Sequence, residues 1–190
     1  MADKPKYYWD ACIWICLIKQ EAGRIDSCRY IIEMAQKGEI EIWTSAFTLA
    51  EVFKRRCGSE TSEMPASDDQ AFEDYLAQEY IQLVQVDVDV GTAARRLLRK
   101  FPAIGKPQDA IHVATAAIHS VDALHTFDRS DLLGLDGLIP MANGGKLKIC
   151  VPPNPPVVPD PLAGTLFEGL NSNGAESKKD DGNEKQEAVG

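Results

Sequence analysis

Four acidic residues stand at the ends of predicted strands or in predicted helices, and their side chains could do chemistry together: Asp10, Glu51, Asp109 and Asp128. Asp10 and Asp128 each close a short apolar run, whereas Asp109 opens the helix predicted from Pro107. Glu51 lies in the helix predicted after Ser45. Ligands of open α/β sheets bind beyond the carboxyl ends of the strands, so we expect the four carboxylates to meet in one cleft.

Carboxylates that are crowded together raise each other's pKa, and a hard divalent cation removes that conflict. A ligand set of oxygens, without Cys or His, is typical of Mg²⁺ or Mn²⁺. Such ions take their remaining ligands from water and substrate phosphates, so the predicted reaction is hydrolysis of a phosphodiester by metal-activated water. One ion or two would serve, the second stabilising the leaving oxygen.

Each acid also has a purely structural interpretation. The chain has 29 acidic residues, so some stand near strand ends by chance. Asp109 would interact favourably with its helix dipole, Glu51 could be a solvated helix residue, and Asp128 could form a turn. The order and surroundings of all four together favour the metal site.

Alternating strands and helices predict an α/β fold in three α/β/α layers, with a central, mainly parallel sheet of about five strands. The strands are predicted at 5–10, 39–44, 80–87, 122–127 and 146–151. The helices are predicted at 11–19, 26–37, after Ser45, 68–79, 90–101 and 107–120. The stretch 57–67 is predicted to be a loop.

Composition places further limits on the protein. The net charge of −9 makes the chain a poor non-specific ligand for nucleic acid, so such a substrate would need a local basic patch. The apolar run 11–18 is too short to span a bilayer and lacks a cleavage site, so we expect a cytoplasmic protein. Residues 1–151 are predicted to be the folded domain, 152–170 a Pro-rich extended arm, and 171–190 a disordered tail.

Four segments resemble the motifs of PIN-domain nucleases and follow their order: Tyr8–Asp10, Thr48–Val52, Asp109–Ala116 and Thr126–Asp128. The resemblance covers about residues 5–150 and implies a PIN-like fold and a metal-dependent nuclease specific for single strands. Many small members are VapC-type toxins that cleave RNA and are inhibited by an antitoxin, and members commonly form homodimers. An RNA substrate, an antitoxin and a second copy are therefore the partners that the resemblance implies.

The resemblance also implies roles for individual residues. The four acids would ligate the metal directly or through water. Asp131 could add a fifth carboxylate or could instead cap the short helix after it. Thr126 precedes Asp128 by two residues, so strand alternation places both on one side, where the family's Thr or Ser supports the site. Ser45 is interpreted as a helix cap, with a role near the metal as the alternative.

Basic residues and one histidine lie close to these motifs. Lys54, Arg55 and Arg56 follow Glu51 on the predicted helix and are the candidates for contact with substrate phosphates. His112 is interpreted as a packed, hydrogen-bonded helix residue and not as a general acid or base.

The leading hypothesis is an endoribonuclease that is the toxin of a toxin–antitoxin pair. The alternatives are a PIN-like module that binds RNA or protein without cleaving, and a housekeeping RNA-processing nuclease. Neither G-x-G-x-x-G nor a P-loop is present, which argues against a nucleotide-binding enzyme.

Overall fold

The structure is a computed structural model that describes residues 3–57 and 60–157, without the side chains of 54–57 and 60–63. Its strands are β1 (Lys6–Trp9), β2 (Glu41–Ser45), β3 (Lys54–Cys57), β4 (Glu60–Glu63), β5 (Ile81–Val84), β6 (Ala123–His125) and β7 (Ile149–Cys150). Its helices are α1 (Ala11–Lys19), α2 (Ile25–Gln36), α3 (Thr48–Glu51), α4 (Ala66–Leu76), α5 (Val88–Lys100) and α6 (Pro107–Ile118), followed by a 3₁₀ turn at Leu133–Leu135.

Five strands form one parallel sheet in the order β5-β2-β1-β6-β7, which confirms the predicted fold class. The chain first builds the sheet outward from β1 to β2 and β5, and later returns to add β6 on the other side of β1. This reversal of strand order next to β1 opens a crevice at the carboxyl ends of β1 and β6. Asp10 follows β1 directly, and Asp128 comes three residues after β6.

Helices cover both faces of the sheet, and β1 shows how the sequence directs them. Tyr8 is fully buried in the cluster that includes α5 and α6, whereas Trp9 is fully buried in the cluster of α1 and α2. Neighbouring residues of a strand point to opposite faces, so an unbroken apolar strand requires a layer of helices on each side. The result is the predicted α/β/α arrangement.

The prediction of a loop over 57–67 is wrong. Strands β3 and β4 pair as an antiparallel hairpin, and α4 already begins at Ala66. Residues 54–63 are almost all polar, so the alternation of apolar residues from which strands are predicted is missing here. The helix that carries Glu51 is also shorter than expected, because α3 has one turn and β3 begins at Lys54.

The apolar run near the amino terminus forms the core helix α1, with Ile13, Trp14 and Leu17 buried. Every helix in the described ranges falls short of the length and apolar character that a membrane span requires. Pro152 is buried, and the Ser27 hydroxyl on α2 donates a hydrogen bond to Asn154 Oδ1 over 2.6 Å. The start of the Pro-rich segment therefore contacts the domain, while the rest of the predicted arm and the tail lie outside the described residues.

Candidate metal centre

A cleft of about 660 Å³ lies at the carboxyl end of β1 and the amino end of α6. Its lining includes all four acids singled out from the sequence: Asp10, Glu51, Asp109 and Asp128. They are contributed by the loop after β1, by α3, by the first turn of α6 and by the loop after β6. The fold thus brings together residues that are up to 118 positions apart in the sequence.

Three carboxylates form the tightest group. Asp109, Asp128 and Asp131 each offer an oxygen atom, and these atoms lie within 4.8 Å of one another. Among the described residues, Asp10 and Glu51 line the same cleft without joining this group. Asp109, Asp128 and Asp131 are therefore the close group, while Asp10, Glu51 and also Glu21 lie on the wall of the cleft.

Asp10 is held at the amino end of α1, where only 4% of its surface is exposed. Its Oδ1 accepts hydrogen bonds from the Cys12 and Ile13 amides, which satisfies donors that the first turn of a helix leaves free. The Cys12 thiol also donates to Oδ1 over 2.8 Å. Burial raises the pKa of Asp10, although nearby His112 and the thiol bond favour its ionised form.

Cys12 is more than the small core residue suggested by its apolar surroundings. It lines the cleft, and its sulfur accepts a hydrogen bond from the Phe127 amide while donating to Asp10. Burial and the neighbouring Asp10 raise the pKa of this thiol, so it stays a protonated donor at neutral pH. No spacing motif in the sequence points to this contact, because it depends on the return of the chain after β6.

Asp109 lies in the first turn of α6, which Pro107 starts. Its Oδ2 is buried and, within the described residues, has no hydrogen-bond partner. The Lys106 ammonium is 3.8 Å from this oxygen, beyond hydrogen-bonding distance. Burial raises the pKa of Asp109 to about 6, with Asp128 and Asp131 adding to the rise and Lys106 opposing it.

Asp128 is ionised in the same surroundings because its bonds stabilise the charge. Its Oδ1 accepts the Ser130 amide, the Ser130 hydroxyl and the Asp131 amide at 2.8–3.0 Å. Burial alone would raise the pKa of Asp128, but these hydrogen bonds and Lys106 outweigh it and lower the pKa. Two adjacent carboxyl groups thus have pKa values shifted in opposite directions, which is typical of functional sites.

Asp131 forms an ion pair with Lys106, whose Nζ lies 2.6 Å from Asp131 Oδ2. The 3₁₀ turn that follows has no side-chain cap, so Asp131 does not cap it. The hydrogen bond to Asp131, together with Asp109, raises the pKa of Lys106. Lys106 is the cation of the acidic group, and the sequence had given it no specific role.

Thr126 and Ser45 both lie fully buried beside the site. The Thr126 hydroxyl accepts the Asp128 amide over 2.9 Å and also hydrogen-bonds Asp10. Ser45 Oγ accepts the Phe47 amide in the turn before α3 and is a neighbour of the Tyr8 hydroxyl. The prediction of Ser45 as the helix cap is wrong, because Phe47 stands at the cap position and α3 has no side-chain cap. Thr126 is thus in contact with two of the acids, and Ser45 with none that the structure describes.

Lys54, Arg55 and Arg56 occupy β3, not a continuation of the helix that carries Glu51. The prediction that all three share a helix with this acid is therefore wrong, because α3 ends at Glu51. Their side chains lie outside the described part of the structure.

The residues present fit a hard divalent cation. The donors are carboxylate oxygens, Asp109 Oδ2 is buried without a hydrogen bond, and Asp109 holds its proton unusually tightly. Crowded carboxylates and a buried oxygen without a hydrogen bond are both costly in the metal-free protein. A bound cation would remove that cost by pairing with the negative charge. Oxygen ligands of this kind match Mg²⁺ and Mn²⁺.

The fold and cleft define an α/β/α protein with carboxylates gathered where the strand order reverses. Residues 7–133 match the family profile of the PIN domain. Two solved structures have the same fold, each with a TM-score of 0.50. VapC20 of Mycobacterium tuberculosis, a toxin that cleaves the sarcin–ricin loop, is 17% identical over 64% of this chain and 89% of its own.

A toxin–antitoxin complex from Klebsiella pneumoniae is 18% identical over 78% of this chain and 99% of its own. A comparison with curated proteins found no match. The profile match covers most of the folded domain. The chain belongs to the PIN-domain family, in which nuclease activity is general.

Proposed function

We propose that this protein is a divalent-metal-dependent endoribonuclease that hydrolyses RNA phosphodiester bonds. The observation that carries the proposal is the buried Asp109 Oδ2, which has no hydrogen bond within the described structure and belongs to a group of three carboxylates. Membership in a nuclease family supports the same conclusion.

Asp109, Asp128 and Asp131 would hold Mg²⁺ or Mn²⁺, as one ion or two. Asp10 and Glu51, on the wall of the same cleft, would act as further ligands directly or through water. When bound, such an ion lowers the pKa of a water molecule and neutralises charge on the phosphate.

The remaining residues of the cleft orient these acids and receive the substrate. Thr126 fixes the loop of Asp128, and Cys12 and the first turn of α1 fix Asp10. Lys106 is 57% exposed at the mouth of the acidic group, where its ammonium can contact a phosphate once the acids are neutralised. We propose Lys54, Arg55 and Arg56 as further phosphate contacts on the neighbouring hairpin.

For the biological role, we propose the toxin of a cytoplasmic toxin–antitoxin pair, acting as a homodimer. The structural likeness to VapC20 and to a toxin–antitoxin complex supports the toxin role. The homodimer is proposed because members of the family commonly form homodimers. A small antitoxin protein would then block the cleft.

Cleavage of a mixed RNA panel that includes transfer RNA tests the proposed activity. Purified protein should cut with Mg²⁺ or Mn²⁺, and both EDTA and Asp109→Asn should abolish the cuts. Metal-independent cutting, or equal cutting by the variant, would refute the proposed site. Binding of RNA without any cleavage in either metal would favour a silent PIN-like module, and cuts confined to maturation sites of precursor RNA would favour housekeeping processing.

A further inference from the structure

A buried chain of hydrogen bonds runs from the central strand to Glu51. The Tyr8 hydroxyl on β1 lies 2.8 Å from His112 Nδ1, and His112 Nε2 lies 2.6 Å from Glu51 Oε2. Tyr8 is fully buried, and His112, which is 2% exposed, lines the cleft together with Glu51. His112 follows Asp109 by three residues on α6. The same helix therefore carries Asp109 and the histidine that is hydrogen-bonded to Glu51.

The tautomer of His112 sets the direction of the two bonds. With the ring proton on Nε2, His112 donates to the Glu51 carboxylate and accepts the Tyr8 hydroxyl proton at Nδ1. Both ring nitrogens are used, and the ring is therefore held in one orientation.

Glu51 depends on this bond because α3 cannot hold the side chain by itself. The helix has only four residues, has no side-chain cap, and is followed directly by Val52, whose backbone is not helical. A glutamate has three rotatable side-chain bonds, which remain free unless its carboxylate is anchored. The short bond to a buried imidazole supplies that anchor.

We propose that His112 is a positioning residue that holds the Glu51 carboxylate at the metal-binding cleft. The inference rests on the proposed metal-dependent nuclease. It differs from general acid–base catalysis, since His112 would touch neither substrate nor reacting atoms. Residues that orient metal ligands in this way typically change metal affinity or activity by 10- to 100-fold when they are removed.

Two substitutions at this position separate the two bonds. The amide of glutamine extends about as far as Nε2, so His112→Gln retains a donor for Glu51 and loses the bond to Tyr8. The amide of asparagine extends about as far as Nδ1, so His112→Asn retains an acceptor for Tyr8 and loses the bond to Glu51. Both variants replace a buried ring by a smaller amide, and each serves as the control for the other.

Mn²⁺ affinity by calorimetry, RNA cleavage rate and the urea midpoint of the metal-free protein are measured for both variants. We expect His112→Asn to weaken Mn²⁺ binding about 10- to 100-fold and His112→Gln to stay within about threefold of the parent, at similar urea midpoints. Equal Mn²⁺ affinities of the two His112 variants would overturn the inference. So would losses of Mn²⁺ affinity that are explained by a lower urea midpoint of the same variant.

Tyr8→Phe and the parent protein complete the test. Tyr8→Phe keeps the bond between His112 and Glu51, so it should bind Mn²⁺ within about threefold of the parent. This expectation can be tested even if His112→Asn does not fold. A loss of Mn²⁺ affinity of 10-fold or more in a folded Tyr8→Phe or His112→Gln sample would contradict the inference. If the parent itself neither binds Mn²⁺ nor cuts RNA, the proposed function fails. That outcome can be told apart from a failure of the inference, in which the parent is active but the His112 variants have equal Mn²⁺ affinities.

Discussion

Asp109→Asn should stabilise the metal-free protein at neutral pH while it removes the metal site. The pKa of Asp109 rises from 3.8 to about 6 on folding, chiefly through burial. The folded state therefore binds this proton more tightly than the unfolded state, and stability is lost as the pH rises from 3.8 through about 6. The ionised carboxylate then destabilises the folded protein by about 3 kcal/mol at pH 7.5 and by about 1 kcal/mol at pH 4.5.

The structural interpretation of Asp109 predicts the opposite sign. An acid that only complements the dipole of its helix stabilises the fold by about 0.3–1 kcal/mol, and Asn would lose that amount. Asp89 supplies a matched control, because it is an exposed acid in the first turn of α5. Asp89→Asn should lower stability slightly at pH 7.5, whereas Asp109→Asn should raise it.

Urea unfolding in EDTA at pH 7.5 and pH 4.5 measures both effects. The free energy of unfolding of Asp109→Asn should exceed that of the parent by up to about 3 kcal/mol at pH 7.5, and the gain should shrink to about 1 kcal/mol at pH 4.5. An Asn variant that is less stable than the parent at pH 7.5, as the dipole interpretation requires, would refute the reasoning.

Three further outcomes follow from the same contacts. Lys106→Met removes the ammonium that pairs with Asp131, so calorimetry should show Mn²⁺ binding about three- to tenfold tighter, and a weaker affinity would mean that Lys106 assists the ion. The Mn²⁺ affinity of the parent should fall about tenfold per pH unit below pH 6, since Asp109 must release its proton to bind; a titration that is flat between pH 5 and 6 would contradict this. Thr126→Val leaves the Asp128 amide without its acceptor and should lower both the urea midpoint and the Mn²⁺ affinity, whereas Thr126→Ser should restore them.

The acids of the cleft could be found from the sequence because their positions are marked locally. Asp10 and Asp128 follow apolar runs, and Asp109 follows the proline that starts α6. Parallel strands share an edge for their carboxyl ends, so local marks of this kind predict a meeting place in space. The same logic correctly predicted the sheet and its two helical layers.

The β3–β4 hairpin and the partners of the acids could not be found in that way. The hairpin is polar, so it carries no pattern of burial, and its strands are defined by backbone pairing. The bond between His112 and Glu51 spans 61 residues, and the pair of Lys106 with Asp131 spans 25. Such contacts depend on tertiary packing, which propensities and periodicity do not contain.

Calorimetric titration of the metal-free protein with Mn²⁺ at pH 7.5 tests the central claim most directly. The parent and Asp89→Asn should bind Mn²⁺ with the same affinity, and Asp109→Asn should show a large loss of affinity while remaining folded. Unchanged Mn²⁺ binding by a folded Asp109→Asn, or no binding by the parent, would contradict the assignment of the acidic group as a metal centre.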